Sequence, residues 1–530
     1  MGDITLTMIV KDEAERLPGA LASADGAVDR IVIVDTGSSD DTVAIARAAG
    51  AVVIEHAFTD FADARNAALS AVGGGWMLVL DADERLAPGA AAAIRAASVS
   101  GSIDFGLMPC HSAASSDATI EGVLSGQHRL SEPVLVARLF RWTEDFCWEG
   151  AAHETPQSWM LRHRSGDIDA PIVHYGGTPV QSKHRRSLRL LQQRVEADPR
   201  DVSGQAYLAR ELIWVGDTVA ARQALDAAWA VVQADESQRG EMVTLGTMRA
   251  WDQLQQEDDQ GAMETLSTIA GWGAVHPNMF LLQGMALENL SGRAPEPQRA
   301  TLLRQAVSVL SMCTDFAGGR FTEEVIAGAT GWAADIRRGA CLLALGEPEE
   351  ARPLWQRAFS ERPELEAVRL GLAESLLESD PAQALDVLAP IRAEAGIDGW
   401  LLAAAAHEAR AELREMAEAL MAAVQHVRGG FRARHRRAML DELVSLLGVL
   451  QGDPRPGRGA VGTLAGLMSG YPPSAGTVHP LPAGSPDARR IGHVLRYLSR
   501  NGEEALLAAL GEPQSEQLFP GIGGVLAEVG

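Results

Sequence analysis

Within its first 80 residues the chain alternates strand-like apolar runs with helix-period stretches, an order that few folds accept. The runs are ITLTMIV (4–10), RIVIVD (30–35), AVVIEH (51–56) and WMLVL (76–80). Helical patterns fill 13–24, 40–49 and 61–72 between them. A βαβαβαβ series implies a mainly parallel sheet with right-handed crossovers. The fourth run ends on Asp81-Ala82-Asp83-Glu84. Carboxylates at i and i+2 at a strand's carboxyl end point to one side, where they can hold a divalent cation and an anionic ligand. Open α/β sheets bind ligands at that edge, although an acidic dipeptide by itself also begins loops and caps helices.

Seven segments extend this pattern: TMIVKDEAERLP (7–18), VDTGSSDDT (34–42), FADARNAAL (61–69), LDADE (80–84), RLFR (138–141), WEGAAHE (148–154) and IVHYG (172–176). In this order they resemble a family 2 glycosyltransferase of the GT-A fold, an α/β, Rossmann-like, mainly parallel sheet, over roughly a third of the chain. The resemblance implies that Asp83 coordinates Mn2+ or Mg2+, that Asp81 reaches the ribose or assists at the metal, and that His174 is a further ligand. Without it, a single histidine beside an apolar run reads as a hydrogen-bonded core residue. Asp35 would accept from the nucleotide base over a turn at Thr36-Gly37-Ser38, with Lys11 and Asp12 on the same rim. Family members often carry Asn where this chain has Asp12. Arg65 would lie near the base or phosphates, with Asn66 supporting its helix, while Asp40 reads as a helix cap. In YGGTPVQSKHRRSLRLL (175–191), Lys183 and Arg186 would close over the diphosphate, or else begin a solvated helix. The base that takes the acceptor proton is Glu154 or Glu149; the GxxHE pattern favours Glu154, with His153 orienting it. Trp148 and Trp142 read equally as a sugar platform or as core.

From about residue 186, alanine-rich helical periodicity replaces alternation. Gly339, Leu342, Ala351, Trp355, Ala358 and Pro363 follow the tetratricopeptide template of small residues where paired helices touch and a closing proline. Ala209, Leu212, Ala221, Leu225 and Ala228 make a second copy, Ala384, Leu388 and Ile391 a weaker one, and 277–310 and 398–426 have similar texture. The expected division is 1–185 for the α/β domain, 186–428 for all-α repeats and 429–530 for a helical and loop extension. Repeats of this kind bind peptides or pair chains, so a peptide or protein acceptor and a homodimer through the repeats are expected. The basic run RGGFRARHRRAM (428–439) reads as a solvated helix face.

Composition sets the remaining bounds. A net charge of −24 over 530 residues opposes broad adhesion to nucleic acid or anionic lipid. Cys110, Cys147, Cys313 and Cys341 form no CxxC, which disfavours disulfide frameworks and structural zinc and fits a reducing compartment. The amino terminus lacks a signal-like pattern, and no uninterrupted apolar stretch reaches 18 residues, so a soluble, cytoplasmic protein without a membrane span is expected. The expected activity is metal-dependent, inverting sugar transfer from a nucleotide diphosphate donor, a UDP-sugar, to a peptide or protein. Assembly of a surface polysaccharide or another glycan, and a non-catalytic repeat scaffold, are the alternatives.

Overall fold

The computed structural model describes residues 3–176, 181–391 and 396–410, with Glu412, Glu415 and Ala419 besides. By compactness the chain divides into two units, Met1–Arg337 and Arg338–Gly530.

The first unit opens with β1 (Ile4–Val10), α1 (Leu17–Ser23), β2 (Arg30–Asp35), α2 (Thr42–Ala48), β3 (Val52–Glu55), α3 (Phe61–Val72) and β4 (Trp76–Val79). This is the expected alternation. Helix α1 starts four residues later than its periodicity suggests, with Pro18 in its first turn, where a missing N–H is no loss. Asp40 serves the start of α2 from one residue outside the cap position. Asp41 holds the cap position, and the Asp40 carboxylate accepts from Thr42 N at 3.0 Å, at the first turn of the helix, and from Ala14 N at 3.1 Å, joining two loops. Helix α3 spans the expected residues because both ends carry stop signals: Asp60 accepts from Asp63 N, and Gly73 takes a left-handed φ of 68°.

Next come β5 (Glu84–Leu86), α4 (Ala90–Val99), β6 (Phe105–Ser112), α5 (Ile120–Leu124), β7 (Val134–Arg141), α6 (Gln157–Met160), β8 (Ser165–Asp167) and β9 (Ile172–His174). The sheet order is β3-β2-β1-β4-β7-β6-β9-β5, with β8 against β6. Strands β1 to β4 pair in parallel, as do β6 with β8 and β9; β7 enters antiparallel between β4 and β6, and β5 runs antiparallel to β9. Both faces are covered, so β4 is apolar throughout. Trp76, Leu78 and Leu80 join the core beneath α1 and α4, whereas Met77 and Val79 join an aromatic cluster of Phe105, Phe140, Phe146, Trp148 and Trp159 on the other face. Trp148 is therefore core and not a sugar platform, and Trp142 packs against the same cluster.

Helices follow: α7 (Gln181–Ala197), α8 (Val202–Val215), α9 (Thr218–Ala234), α10 (Met242–Gln255), α11 (Asp259–Gly271), α12 (Pro277–Ser291) and α13 (Gln298–Ser311). Within this unit α8 packs on α9, α10 on α11 and α12 on α13. The template residues Ala209, Leu212, Ala221, Leu225 and Ala228 are all buried where those helices meet.

Helix α14 (Trp332–Ala344) precedes α15 (Pro348–Glu361), α16 (Glu366–Leu376), α17 (Pro381–Leu388) and α18 (Gly396–Ala409). In the second unit Leu342, Ala351, Trp355, Ala358, Ala384 and Leu388 are buried. A Cβ at Gly339 or Gly371 would stand 2.6 or 2.4 Å from the Trp355 indole, so two bare backbones make room for one ring. Among the described residues no helix is long and apolar enough to cross a membrane. The basic run at 428–439 and the extension over 429–530 lie outside the described residues.

Candidate active site

The register of the short antiparallel pair β5 and β9 builds the centre of the site. Glu84 lies opposite His174, and Tyr175 N donates to Asp83 O at 2.8 Å, so residues 90 apart in sequence meet at one sheet edge. Asp83 Oδ2 stands 3.6 Å from His174 Nε2. Asp83 is buried, while about a third of the His174 side chain is exposed. The Asp83 carboxylate raises the His174 pKa, against the opposing effect of burial. Gly176 leaves the space beside this pair open, since a Cβ there would fall 2.4 Å from His174 Nε2 and 2.7 Å from Asp83 Oδ2.

Asp81 does not point the same way. Glu84 N donates to Asp81 O at 3.0 Å, which closes a tight turn and sends the two carboxylates to different partners. By strand parity Asp81 follows Met77 and Val79 to the α3 face. There Arg65 Nη2 donates to it at 3.1 Å, and Arg138 Nη2 lies 3.6 Å away. Burial works against the Asp81 charge, but the two guanidinium groups outweigh it and lower its pKa. Arg65 Nε also donates to Glu154 Oε1, and its guanidinium lies 5.3 Å from the Trp148 ring centre. Arg65 thus joins Asp81 to Glu154 beneath an aromatic lid.

Two members of this network were not singled out from sequence. Arg138 Nη2 donates to Glu84 Oε1 at 2.6 Å, and Glu84 Oε2 accepts from Asp81 N at 3.0 Å. Glu84 is buried, which raises its pKa; Arg138 opposes that rise, and its own pKa is raised by Glu84 and Asp81 despite burial. Both residues sit inside the matched segments LDADE and RLFR, so the signal was present without a role attached. Burial pushes the neighbouring Cys110 thiol up to about 12, which leaves it no nucleophilic character at neutral pH.

The remaining sequence candidates fall in three places. Asp35, buried at the end of β2, accepts from Gly37 N and Ser38 N at 3.1 Å and from Ser38 Oγ at 2.5 Å; it fixes the 36–38 turn and keeps acceptor capacity to spare. Asp12 adopts a left-handed φ of 54° and accepts from Ser39 N at 2.7 Å, which with Ser39 Oγ lowers its pKa. It is a brace between the first two loops, and Lys11 beside it is exposed. Glu149 is exposed and accepts from Ser158 Oγ at 3.1 Å, away from the Arg65 network that holds Glu154. The His153 ring is turned to another partner, stacking on Tyr207 of α8 at 4.2 Å. Asn66 does more than support its own helix, since it exchanges hydrogen bonds with Trp148 O at 3.0 Å and Trp148 N at 2.8 Å. Lys183 and Arg186 belong to α7, with side chains outside the described residues, as is the 177–180 segment before them.

Asp83 and His174 suit a hard or borderline divalent cation, and the space at Gly176 gives it a cradle that any Cβ would fill. Among the described residues no third His, Cys, Asp or Glu completes a cluster, so a cation held by this pair would take its other positions from water or ligand oxygens.

The sheet with its acidic edge and the helical hairpins after it define a class of architecture: an α/β domain joined to tetratricopeptide-like repeats. Residues 5–97 match the family model described as Glycosyl transferase family 2. An uncharacterized glycosyltransferase of Rickettsia felis is 40% identical over 86 residues, covering 16% of this chain and 30% of that one. A TPR repeat-containing protein of Synechococcus elongatus is 32% identical over 236 residues, covering 42% of this chain and 55% of that one. The chain therefore spans about half the length of one curated relative and less than a third of the other. Among solved structures, S. aureus TarS 1-349 in complex with UDP-GlcNAc is 12% identical with a TM-score of 0.27, covering 65% of this chain and 92% of that one. A tetratricopeptide repeat protein from Parabacteroides merdae is 13% identical with a TM-score of 0.33, covering 48% and 90%.

Proposed function

We propose that the chain is a metal-dependent, inverting glycosyltransferase that moves a sugar from a UDP-sugar to a peptide or protein acceptor presented by the helical repeats. The observation that carries this reading is Asp83 set 3.6 Å from His174 at the carboxyl edge of the sheet, beside an open glycine. Mn2+ or Mg2+ bound there supplies Lewis-acid stabilisation of the departing diphosphate. Asp83 and His174 would hold the ion, and Asp81, fixed by Arg65 and Arg138, would reach the ribose or assist at the metal. Asp35 and Asp12 hold the 36–39 loop, which forms a floor for the base. Glu154 takes the proton of the acceptor hydroxyl or thiol as that atom bonds to the anomeric carbon. The bond from that carbon to the diphosphate oxygen breaks, and its electron pair leaves on the nucleoside diphosphate.

Thermal unfolding with UDP, GDP, CDP or TDP, each with and without Mn2+, tests this reading. UDP at ~100 times its dissociation constant is expected to add roughly 2.7 kcal/mol, only with the metal. Asp83→Ala is expected to abolish that gain and sugar transfer while melting like the parent. Undiminished turnover in the variant removes the metal assignment, and no gain with any nucleotide removes the donor site.

A further inference from the structure

The loop that carries Glu154 is gripped from both sides. On the transferase side Phe61 N donates to Ala151 O at 3.1 Å, Asn66 holds Trp148, and Arg65 holds Glu154. On the other side the contacts come from the first helices of the repeat region. Arg194 Nη1 of α7 donates to Ala152 O at 3.3 Å. The Tyr207 ring of α8 lies flat on His153, and Arg210 Nη2 stands 3.2 and 3.3 Å from the two His153 ring nitrogens. Glu211 Oε1 lies 3.8 Å from His153 Nε2. His153 itself takes a φ of 53°, a left-handed conformation rare for a residue with a side chain, and it immediately precedes Glu154.

Such a conformation persists only where its surroundings over-determine it, and residues of α7 and α8 do so here. We propose that the repeat region sets the position of Glu154: Tyr207 and Arg210, with Arg194 behind them, are positioning residues that hold His153 in its left-handed turn and so aim the carboxylate one residue on. The repeats then contribute to the transferase site directly, apart from any acceptor they present. A shift of about 1 Å in a catalytic group can cost on the order of a hundredfold in rate, so a clamp of this kind has a large effect per contact. The grip is reinforced further along the chain. The segment after α13 pairs with β7, where Leu135 N donates to Phe321 O at 2.6 Å, and Glu324 of that segment lies 3.5 Å from Arg210.

The kinetic part of this inference rests on the proposed function; the clamp itself does not. Its test is therefore done in two arms on the full chain with Tyr207→Ala, Arg210→Ala and the conservative Tyr207→Phe, which keeps the stacked ring. In hydrogen exchange, the amides of 151–155 are expected to lose at least tenfold protection in the two alanine variants and none in Tyr207→Phe, with α9 to α11 unchanged. Equal protection in all variants overturns the clamp. In the second arm, Mn2+-dependent hydrolysis of UDP-sugars by the parent and the variants is measured. The alanine variants are expected to lose about tenfold in kcat with KM for the donor unchanged, and Arg210→Ala is expected to have no further effect in a Glu154→Gln background. A full additional loss in that background overturns positioning through Glu154. A parent that hydrolyses no nucleotide sugar overturns the proposed function, and the exchange arm still decides the clamp.

Discussion

Gly176 shows how one missing side chain can matter more than several present. Gly176→Ala places a methyl group within 2.7 Å of both Asp83 Oδ2 and His174 Nε2, so it is expected to abolish Mn2+-dependent stabilisation by UDP while leaving the melting temperature of the bare protein within about 2 °C. Retained metal dependence in that variant would place the cation elsewhere. His111 gives a separate handle on acid stability. Burial, and then Arg129, push its pKa down to about 4, and its Nδ1 is buried without a hydrogen-bond partner. An unfolded histidine takes up its proton near pH 6.5, so below that value the unfolded chain binds a proton that the folded chain refuses. Stability is expected to fall by about 3 kcal/mol between pH 6.5 and 4 through this group, and to level off below. Urea titrations of the parent and His111→Asn across that window check it: the variant's curve should be flatter, and parallel curves would show that His111 protonates freely in the folded protein.

At the scale of elements, the expected helices and strands appeared wherever local signals agreed with one another. Helix α3 has its aspartate cap, its apolar stripe and its closing glycine, and its ends match the expectation. Helix α1 does not, because periodicity alone marks a stretch able to be helical, whereas Pro18 decides where the helix begins. Asp40 illustrates the same limit: its carboxylate serves the first N–H of α2 from outside the cap position and ties the loop after β1 to it. In the repeats, Trp355 occupies the space that Gly339 and Gly371 leave, and it is 3% exposed. Trp355→Ala is expected to destabilise its unit by about 3–5 kcal/mol, read from the chemical unfolding of that unit. A loss below 1 kcal/mol would mean that the hairpins close over the gap.

On the scale of the whole molecule, the first compact unit holds both the sheet and the first repeats, since the 149–154 loop and Phe58 and Phe61 pack into the core of α7 to α12. A chain cut after residue 185 uncovers those residues, and it is expected to melt at least 10 °C below the full chain and to bind a hydrophobic dye. Equal melting would make the sheet independent of the repeats. The sequence by itself determined the βαβ order, the acidic strand end, the approach of His174 to that end and the buried positions of the helical repeats. Each of these follows from local periodicity or from a short matched segment. Only the tertiary structure decided that Asp81 and Asp83 diverge, that Glu154 and not Glu149 shares Arg65 with Asp81, that Arg138 and Glu84 form the buried pair behind them, and that His153 belongs to α8. Those outcomes depend on strand register and on contacts between residues 50 to 90 apart, and spacing along one chain carries no record of which distant side chain will fill a given space.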